Sequence, residues 1–170
     1  MALIIQVKDT PDKFRPMADT VVPPLLDLLR ARSALEGEIH DRWEALEQAH
    51  LAAGHSRSQL PDGGLALSAE YRRRYLKLVE HRCVPGFLQY GGEVSFGIPT
   101  KYGYWEDGPA CQVVFTMKSA KKAIVELYGH NGPLTVRHRL TLRPGEPDWL
   151  IAKVEYGHGN GEDWHIDHYV

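Results

Sequence analysis

The sequence has little of what crosslinks secreted proteins or anchors membrane proteins. It contains two cysteines, Cys83 and Cys111, which are too few for a disulfide framework and do not form a close pair of the kind that binds zinc. No apolar run approaches the roughly 20 residues that a membrane span needs, and the N-terminal segment lacks the basic leader of a signal peptide. These absences predict a cytoplasmic protein with reduced thiols, no membrane contact and no bound metal.

A large excess of charge is also missing. The formal net charge is -2, which gives no global electrostatic reason for binding nucleic acid. Two local basic clusters are present, at residues 72–74 and in the row Arg137, Arg139 and Arg143. Phosphates could bind these arginines, but cross-strand ion pairs explain the row equally well, because neighbouring strands carry Glu126, Lys153 and Glu155. We therefore predict that nucleic acid is not a partner.

The common catalytic signatures are absent as well. There is no nucleophile elbow, no phosphate-binding glycine loop and no zinc-protease histidine pair. His138 is a candidate general base, since burial can tune its pKa, but a core histidine bonded to a neighbour is the plainer interpretation. The C-terminal histidines and carboxylates match no standard metal motif and are interpreted as solvated: His158, Asp163, His165, Asp167 and His168. The sequence predicts no catalytic residue and no cofactor.

The strongest pattern that is present is the strict alternation over residues 134–143. Side chains on a strand point to opposite faces in turn. One face therefore carries Leu134, Val136, His138, Leu140 and Leu142, and the other carries the arginines and threonines. A sheet with one buried and one solvated face is antiparallel and needs helices on its apolar side only.

The remaining patterns predict helices first and strands second. Helices are expected over residues 20–32, where Pro23 and Pro24 suit a helix start, from a capping box at Ser33 to Gly54, and over residues 68–83 with Ser68 as cap. Strands are expected over residues 91–99, 112–117, 122–128, 134–143 and 149–156, with a strand or short helix over 164–170. This order predicts one α+β domain spanning residues 1–170, with three helices packed on a curved antiparallel sheet.

The middle helix carries a strongly acidic outer surface. Its apolar stripe includes Leu35, Ile39 and Trp43, and the carboxylates fall mostly off that stripe, at Glu36, Glu38, Asp41, Glu44 and Glu47. An acidic helix opposite a basic sheet face suits electrostatic steering toward a protein partner. Two merely solvated surfaces explain the same charges equally well.

Several segments resemble one family. Phe115-Thr-Met-Lys-Ser-Ala-Lys-Lys-Ala-Ile-Val-Glu126, Arg137-His-Arg-Leu140, Trp149-Leu-Ile151 and Lys153-Val-Glu-Tyr-Gly157, with Trp164 after them, look like the immunity proteins encoded beside Rhs-type polymorphic toxins of bacteria. The match covers about the last third of the chain, with weaker similarity at residues 95–96 and 99–102. The resemblance implies a cone-shaped, nuclear-transport-factor-2-like (cystatin-like) fold, no catalysis, and inhibition by tight binding to a cognate toxin domain.

A toxin-binding surface would need aromatic anchors and charged contacts. The candidate anchors are Tyr102, Tyr104 and Trp105 in a loop expected to be exposed, and Trp164 and Tyr169 near the end. The candidate charged contacts, which could mimic substrate phosphates, are Glu44, Glu47, Glu106, Asp107, Asp163 and Asp167. The rival hypothesis is a pocket enzyme of the same fold, an isomerase, dehydratase or hydrolase, that uses His138, Tyr156 and an inward carboxylate as acid and base. A homodimeric scaffold built on the sheet face is a third hypothesis.

Overall fold

The chain forms two α-helices and one six-stranded sheet, in a computed structural model that describes residues 4–87, 91–105, 112–159 and 161–170. The helices are α1 (Met17–Ala52) and α2 (Gly64–Val79). The strands are β1 (Ile5–Val7), β2 (Gln112–Ser119), β3 (Lys122–Asn131), β4 (Leu134–Arg143), β5 (Leu150–His158) and β6 (His165–Asp167). The α+β prediction is confirmed at this level, with two helices in the described part of the chain where three were expected.

The sheet is a meander with one additional parallel strand at its edge. The strands lie side by side in the order β1 to β6, and every neighbouring pair is antiparallel except β1 with β2. The four predicted strands from residue 112 to residue 156 are confirmed, and β6 shows that the last segment is a strand. Strand β1 escaped prediction because three residues are too few to display a period.

The prediction of a strand over residues 91–99 is wrong. This segment contains a short 3-10 helix, Gly92–Val94, preceded by Gly91 in a left-handed conformation with φ of 89°. Glycine adopts this conformation without a steric penalty, whereas strands need extended backbone. The glycines here therefore indicate a turn, although the apolar residues between them suggested a strand.

Helix α1 is continuous where two helices had been predicted. Pro23 and Pro24 lie inside it, and the chain passes Ser33 without leaving the helical conformation. Buried residues continue in helical register across the expected break, from Leu29 to Leu35 and Ile39. Burial of this long stripe outweighs the local capping signal at Ser33, since most helix stability in proteins comes from tertiary packing. The predicted stop at Gly54 is confirmed, with φ of 85° just beyond the helix end.

Helix α2 begins at Gly64 and ends at Val79, so its predicted start at Ser68 and end at Cys83 are both displaced. It packs against α1 through a network of two arginines and two glutamates. Arg42 and Arg74 each place both terminal nitrogens on a carboxylate of the other helix, Glu70 and Glu38 respectively, at 2.7 to 2.8 Å. The two helices therefore form an antiparallel hairpin closed by reciprocal ion pairs.

The helices and one face of the sheet share a hydrophobic core. From β4 the core contains Val136, His138, Leu140 and Leu142, as the alternation predicts, whereas Leu134 is 44% exposed at the turn. Tyr71, Tyr75 and Val79 face the core from α2. Neither of the two helices in the described residues combines the length and the apolar character that crossing a membrane demands.

Two glycines allow the packing to be tested. A methyl group on Gly129 of β3 would lie 2.3 Å from the backbone oxygen of Tyr104, whereas one on Gly37 of α1 would touch nothing within 4 Å. Gly129→Ala should lower the free energy of unfolding by more than about 2 kcal/mol, because backbone cannot move aside as a side chain can. Gly37→Ala should raise it by about 1 kcal/mol through helix propensity. Urea unfolding measures both; equal effects would contradict this account of the fold.

Candidate functional site

The face of the sheet that points away from the helices, termed here the outer face, carries a row of alternating charges. Glu126 of β3, Arg139 of β4 and Glu155 of β5 lie directly opposite one another in register. The Nε atom of Arg139 lies 2.7 Å from a carboxylate oxygen of Glu126, and Lys153 pairs with Glu155 at the same distance. The cross-strand ion pairing that the sequence offered as one explanation of the basic row is thus present between Arg139 and Glu126.

Trp164, just before β6, lies over two arginines of β4. The Cζ atom of Arg139 is 3.9 Å from its ring, and that of Arg137 is 4.5 Å away. Cations within about 6 Å of an indole face are attracted by its quadrupole. The aromatic ring therefore fixes both guanidinium groups against the sheet.

Arg137 holds the loop that carries Trp164. Its terminal nitrogens donate hydrogen bonds to the carbonyl oxygens of Gly161 and Asp163. The chain passes this close to β5 because residue 157 is glycine: a Cβ there would lie 2.6 Å from Nη2 of Arg137. Arg137 is consequently only 4% exposed, so the prediction of a wholly solvated basic face is wrong at this residue.

Between Trp164 and strands β3 and β4 the outer face forms an open cleft of about 530 Å³. Its walls are formed by Glu126, Tyr128, Arg137, Arg139, Gly161, Glu162 and Trp164. The hydroxyl of Tyr128 donates a hydrogen bond to the second carboxylate oxygen of Glu126, at 2.9 Å. Burial, helped by this carboxylate, raises the pKa of Tyr128, so the phenol remains a neutral donor. The cleft thus combines an indole, a phenol and arginines on a rigid sheet.

A second polar cluster lies in the interior, between α1 and the sheet. Arg32 is fully buried, and its Nη1 atom lies 3.1 Å from a carboxylate oxygen of Glu36 one turn further along α1. The Cζ atom of Arg32 is 5.5 to 5.7 Å from the ring centroids of Tyr75, Tyr102 and Tyr169. Glu36 is therefore an interior residue, and its predicted place on the acidic outer surface of the helix is wrong.

Lys101 extends this cluster toward the last strand. Its backbone N–H donates a hydrogen bond to Glu36, and its ammonium group lies 2.8 Å from a carboxylate oxygen of Asp167. Burial lowers the pKa of Lys101 to about 8, against the opposing charge of Asp167. Burial also raises the pKa of Glu36, although the charge of Arg32 offsets part of that effect.

His138 faces the same interior but has no open space beside it. Its ring packs against Tyr102, with 4.8 Å between the ring centroids. Burial, reinforced by the positive charges of Lys101 and Arg32, lowers the pKa of His138 to about 3. The gap lined by these side chains, Trp105 and Leu127 is too small to admit a single water molecule. His138 is thus a neutral, packed core residue at ordinary pH.

The predicted contact residues do not form one surface. Tyr102 and Trp105 are 1% and 4% exposed, so the expectation of an exposed aromatic loop is wrong for these two anchors, which pack in the core. Tyr104 is half-buried, and its hydroxyl accepts a long hydrogen bond from Asn131. Tyr169 packs against Arg32 and Lys101 in the interior. Of the five aromatic anchors, only Trp164 lines the cleft.

The acidic contacts are equally dispersed. Glu44 is exposed and Glu47 half-buried on the distal half of α1, whereas Asp167 is engaged by Lys101. Asp163 is exposed at the cleft loop, and Glu106 and Asp107 lie outside the described residues. The sequence indicated Arg137 and Arg139 only as part of a basic row that could contact phosphates or steer a partner, and it did not place Tyr128 on a binding surface. Their alternate positions on β3 and β4 were the available signal.

The C-terminal histidines and carboxylates likewise remain apart. Within the described ranges, no three side chains of histidine, cysteine, aspartate or glutamate come together in a way that could hold a metal ion. Asp167 pairs instead with the ammonium group of Lys101.

Comparison with known proteins adds no relative to this description. No protein-family model matches the chain, and neither the curated proteins nor the solved structures contain a match. The geometry of the two polar clusters therefore carries the functional argument.

The buried ion pair of α1 generates one prediction. Arg32→Met should lower the free energy of unfolding by about 3–5 kcal/mol, because Glu36 would remain buried without its counter-ion. The double variant Arg32→Met, Glu36→Leu should recover much of that loss, since no unpaired charge remains. Arg15→Met, which removes an exposed pair with Asp12, should cost less than about 1 kcal/mol in urea unfolding. A double variant as unstable as the single one would contradict the pairing.

His138 generates a second prediction, on pH. Its pKa in the fold is about 3, below the ordinary value of 6.5, so only the unfolded chain takes up this proton between those values. Stability should therefore fall as pH drops below 6.5, by about 1.4 kcal/mol per pH unit for this one group.

The comparison of His138→Gln with wild type isolates the effect. Between pH 7 and pH 5 the variant should lose about 2 kcal/mol less unfolding free energy than wild type. The matched control is His130→Gln, which makes the same substitution at an exposed residue outside the core. Parallel curves for wild type and His138→Gln would refute the assignment.

Proposed function

We propose that the protein is a bacterial immunity protein, an antitoxin that binds the catalytic domain of a cognate polymorphic toxin and neutralises it. The observation that carries this proposal is the cleft on the outer face, where Trp164 stacks on Arg137 and Arg139 beside Tyr128. Tryptophan, tyrosine and arginine are the residues most enriched at the energetic centres of protein interfaces. Their convergence on a rigid sheet favours recognition of a protein.

The filled interior supports the same function. An enzyme acting on a small molecule needs a pocket of a few hundred cubic ångströms beside its acid and base. Here the side chains around His138 close that space, and the polar cleft lined by Trp164 lies on the other face of the sheet. The cone-shaped, nuclear-transport-factor-2-like architecture implied by the resemblance belongs to this proposal, since a sheet with helices on one side is compatible with it.

One observation favours the rival enzyme hypothesis. Lys101 and His138 have strongly lowered pKa values, and such groups gather at catalytic sites more often than elsewhere. Buried ion-pair networks shift pKa values in the same way, and the contacts of Lys101 with Asp167 and Glu36 are of that kind. The absence of room for a substrate beside His138 favours the structural role.

The proposed mechanism is occlusion in the cytoplasm. The outer face covers the toxin's active site, or holds the toxin in an inactive conformation, and no chemistry is required of the immunity protein. Charged groups such as Arg139 and Glu162 at the cleft speed the encounter, while burial of Trp164 under the partner slows release.

Co-expression tests this proposal. The C-terminal domain of the protein encoded by the neighbouring gene is expressed in a sensitive host, with or without this protein. Growth should be arrested by the toxin domain alone and restored by co-expression, and the two chains should co-purify as a stable complex. Growth arrest in both cultures, together with no complex on size-exclusion chromatography, would overturn the proposal.

A further inference from the structure

We propose that the cleft beneath Trp164 binds a carboxylate side chain of the partner protein, held by the terminal nitrogens of Arg139. This inference rests on the proposed function, because it specifies the chemistry of the partner at that surface. The site is the outer face between β3, β4 and the loop before β6, with Tyr128 and Trp164 as its aromatic walls.

The guanidinium of Arg139 is fixed on two sides. Its Nε atom donates to Glu126 at 2.7 Å, and its Cζ atom lies 3.9 Å from the ring centroid of Trp164. The terminal nitrogens, Nη1 and Nη2, have no hydrogen-bond partner within the described ranges. Two parallel N–H donors at one edge of a guanidinium match the two oxygens of a carboxylate. Because the fork is already oriented, little side-chain entropy is lost when a partner binds.

The hydrogen bonds already made within the cleft indicate the charge of the ligand that would complement it. Both oxygens of Glu126 are occupied, one by Arg139 and the other by the hydroxyl of Tyr128. The terminal nitrogens of Arg137 donate their hydrogen bonds to carbonyl groups of the loop before β6. The terminal nitrogens of Arg139 are therefore donors that lack an acceptor among the described residues, and a ligand that brings an anionic acceptor complements them.

A single carboxylate fits the surroundings better than a polyanion. Glu126 and Glu155 flank Arg139 in the sheet register, Glu162 is exposed at the rim, and the formal net charge of the chain is -2. A nucleic-acid backbone would bring several phosphates past these carboxylates. An aspartate or glutamate places one charge on Arg139 and its methylene groups on Trp164. The volume of about 530 Å³ leaves room for a few side chains of one protein segment.

The test uses the purified toxin domain encoded by the neighbouring gene and matched variants of β4. Arg139→Gln removes the fork, whereas Arg143→Gln makes the same charge change at an exposed residue on the same strand that does not line the cleft. Arg139→Gln should weaken the complex at least about thirtyfold, mainly through faster dissociation. Arg143→Gln should weaken it less than about fivefold.

Arg139→Lys distinguishes the effect of the two parallel N–H donors from the effect of the positive charge. It also controls for loss of folding in Arg139→Gln. Lysine keeps a cation beside Glu126 and Trp164 but lacks the two parallel donors, so affinity should fall between wild type and Arg139→Gln while the melting temperature stays close to wild type. In addition, Arg139→Glu should be rescued by an Asp→Arg or Glu→Arg change at one acidic position on the toxin surface, found by scanning those residues.

The outcomes are distinguishable. If wild type binds the toxin domain and Arg139→Gln binds it equally well, the carboxylate site is overturned and the proposed function stands. If wild type does not bind the toxin domain, both the proposed function and the carboxylate site are overturned. If the free protein binds a labelled single-stranded RNA oligonucleotide and Arg139→Gln loses that binding, the cleft is a phosphate site and the inference is wrong.

Discussion

The rest of the structure depends on how a fully buried arginine is accommodated on α1. Arg32 has one carboxylate, Glu36, and three tyrosine rings around its guanidinium. Removing such a charge from water is costly unless its surroundings supply compensating interactions. Those rings belong to α2, to the loop after residue 99 and to the C-terminal segment, so the compensation can exist only when all of these segments are in place. Arg32 therefore couples the helices to the loop before β2 and to the segment after β6.

This coupling divides the two sides of the sheet by role. On the helical side, the charged groups of Arg32, Glu36, Lys101 and Asp167 are bonded to one another and so do not serve as an acid and a base. Aromatic rings fill the remaining space. On the outer side, Arg137 and Gly157 draw the loop before β6 against the strands and leave an open cleft under Trp164. A rigid interior behind a preformed surface is what tight recognition of a protein demands.

The sequence predicted the structure correctly where a periodic pattern of apolar residues lies within one element. Ten alternating residues on β4 predicted the sheet and its core face. They left cross-strand ion pairing as one of two explanations for the arginines, and Arg139 with Glu126 is such a pair. Capping rules located the helix stop at Gly54 but failed at Ser33, because the gain from burying a continuous stripe arises from residues far away in sequence. The α+β class was therefore predictable, whereas the number of helices was not.

The candidate site was harder to predict because long-range contacts create it. From the sequence, Arg137 is expected to be a solvated strand residue. The loop at residues 161–164 folds over it, and no residue near Arg137 in the sequence indicates that contact. In the same way, Glu36 reads as part of an acidic surface until the backbone N–H of Lys101 reaches it. Tyr102 and Trp105 sit in a loop rich in glycine and tyrosine, a composition typical of exposed segments, yet both are buried by the sheet and α1. Polar and aromatic residues whose partners lie in other segments escape single-sequence reasoning.

The parallel strand at the sheet edge has a consequence for how the chain matures on the ribosome. Ile5 pairs with Val113 and Val7 with Phe115, and Thr10 accepts a hydrogen bond from the backbone of Met117. These partners emerge only after both helices have been translated. Until β2 has been made, the nascent chain carries the sheet-facing residues of α1 without the strands that cover them, and the meander from β2 to β6 forms afterwards through hairpin connections between neighbouring strands. Strand β1 therefore stays unpaired until residues 113–115 of β2 have been made.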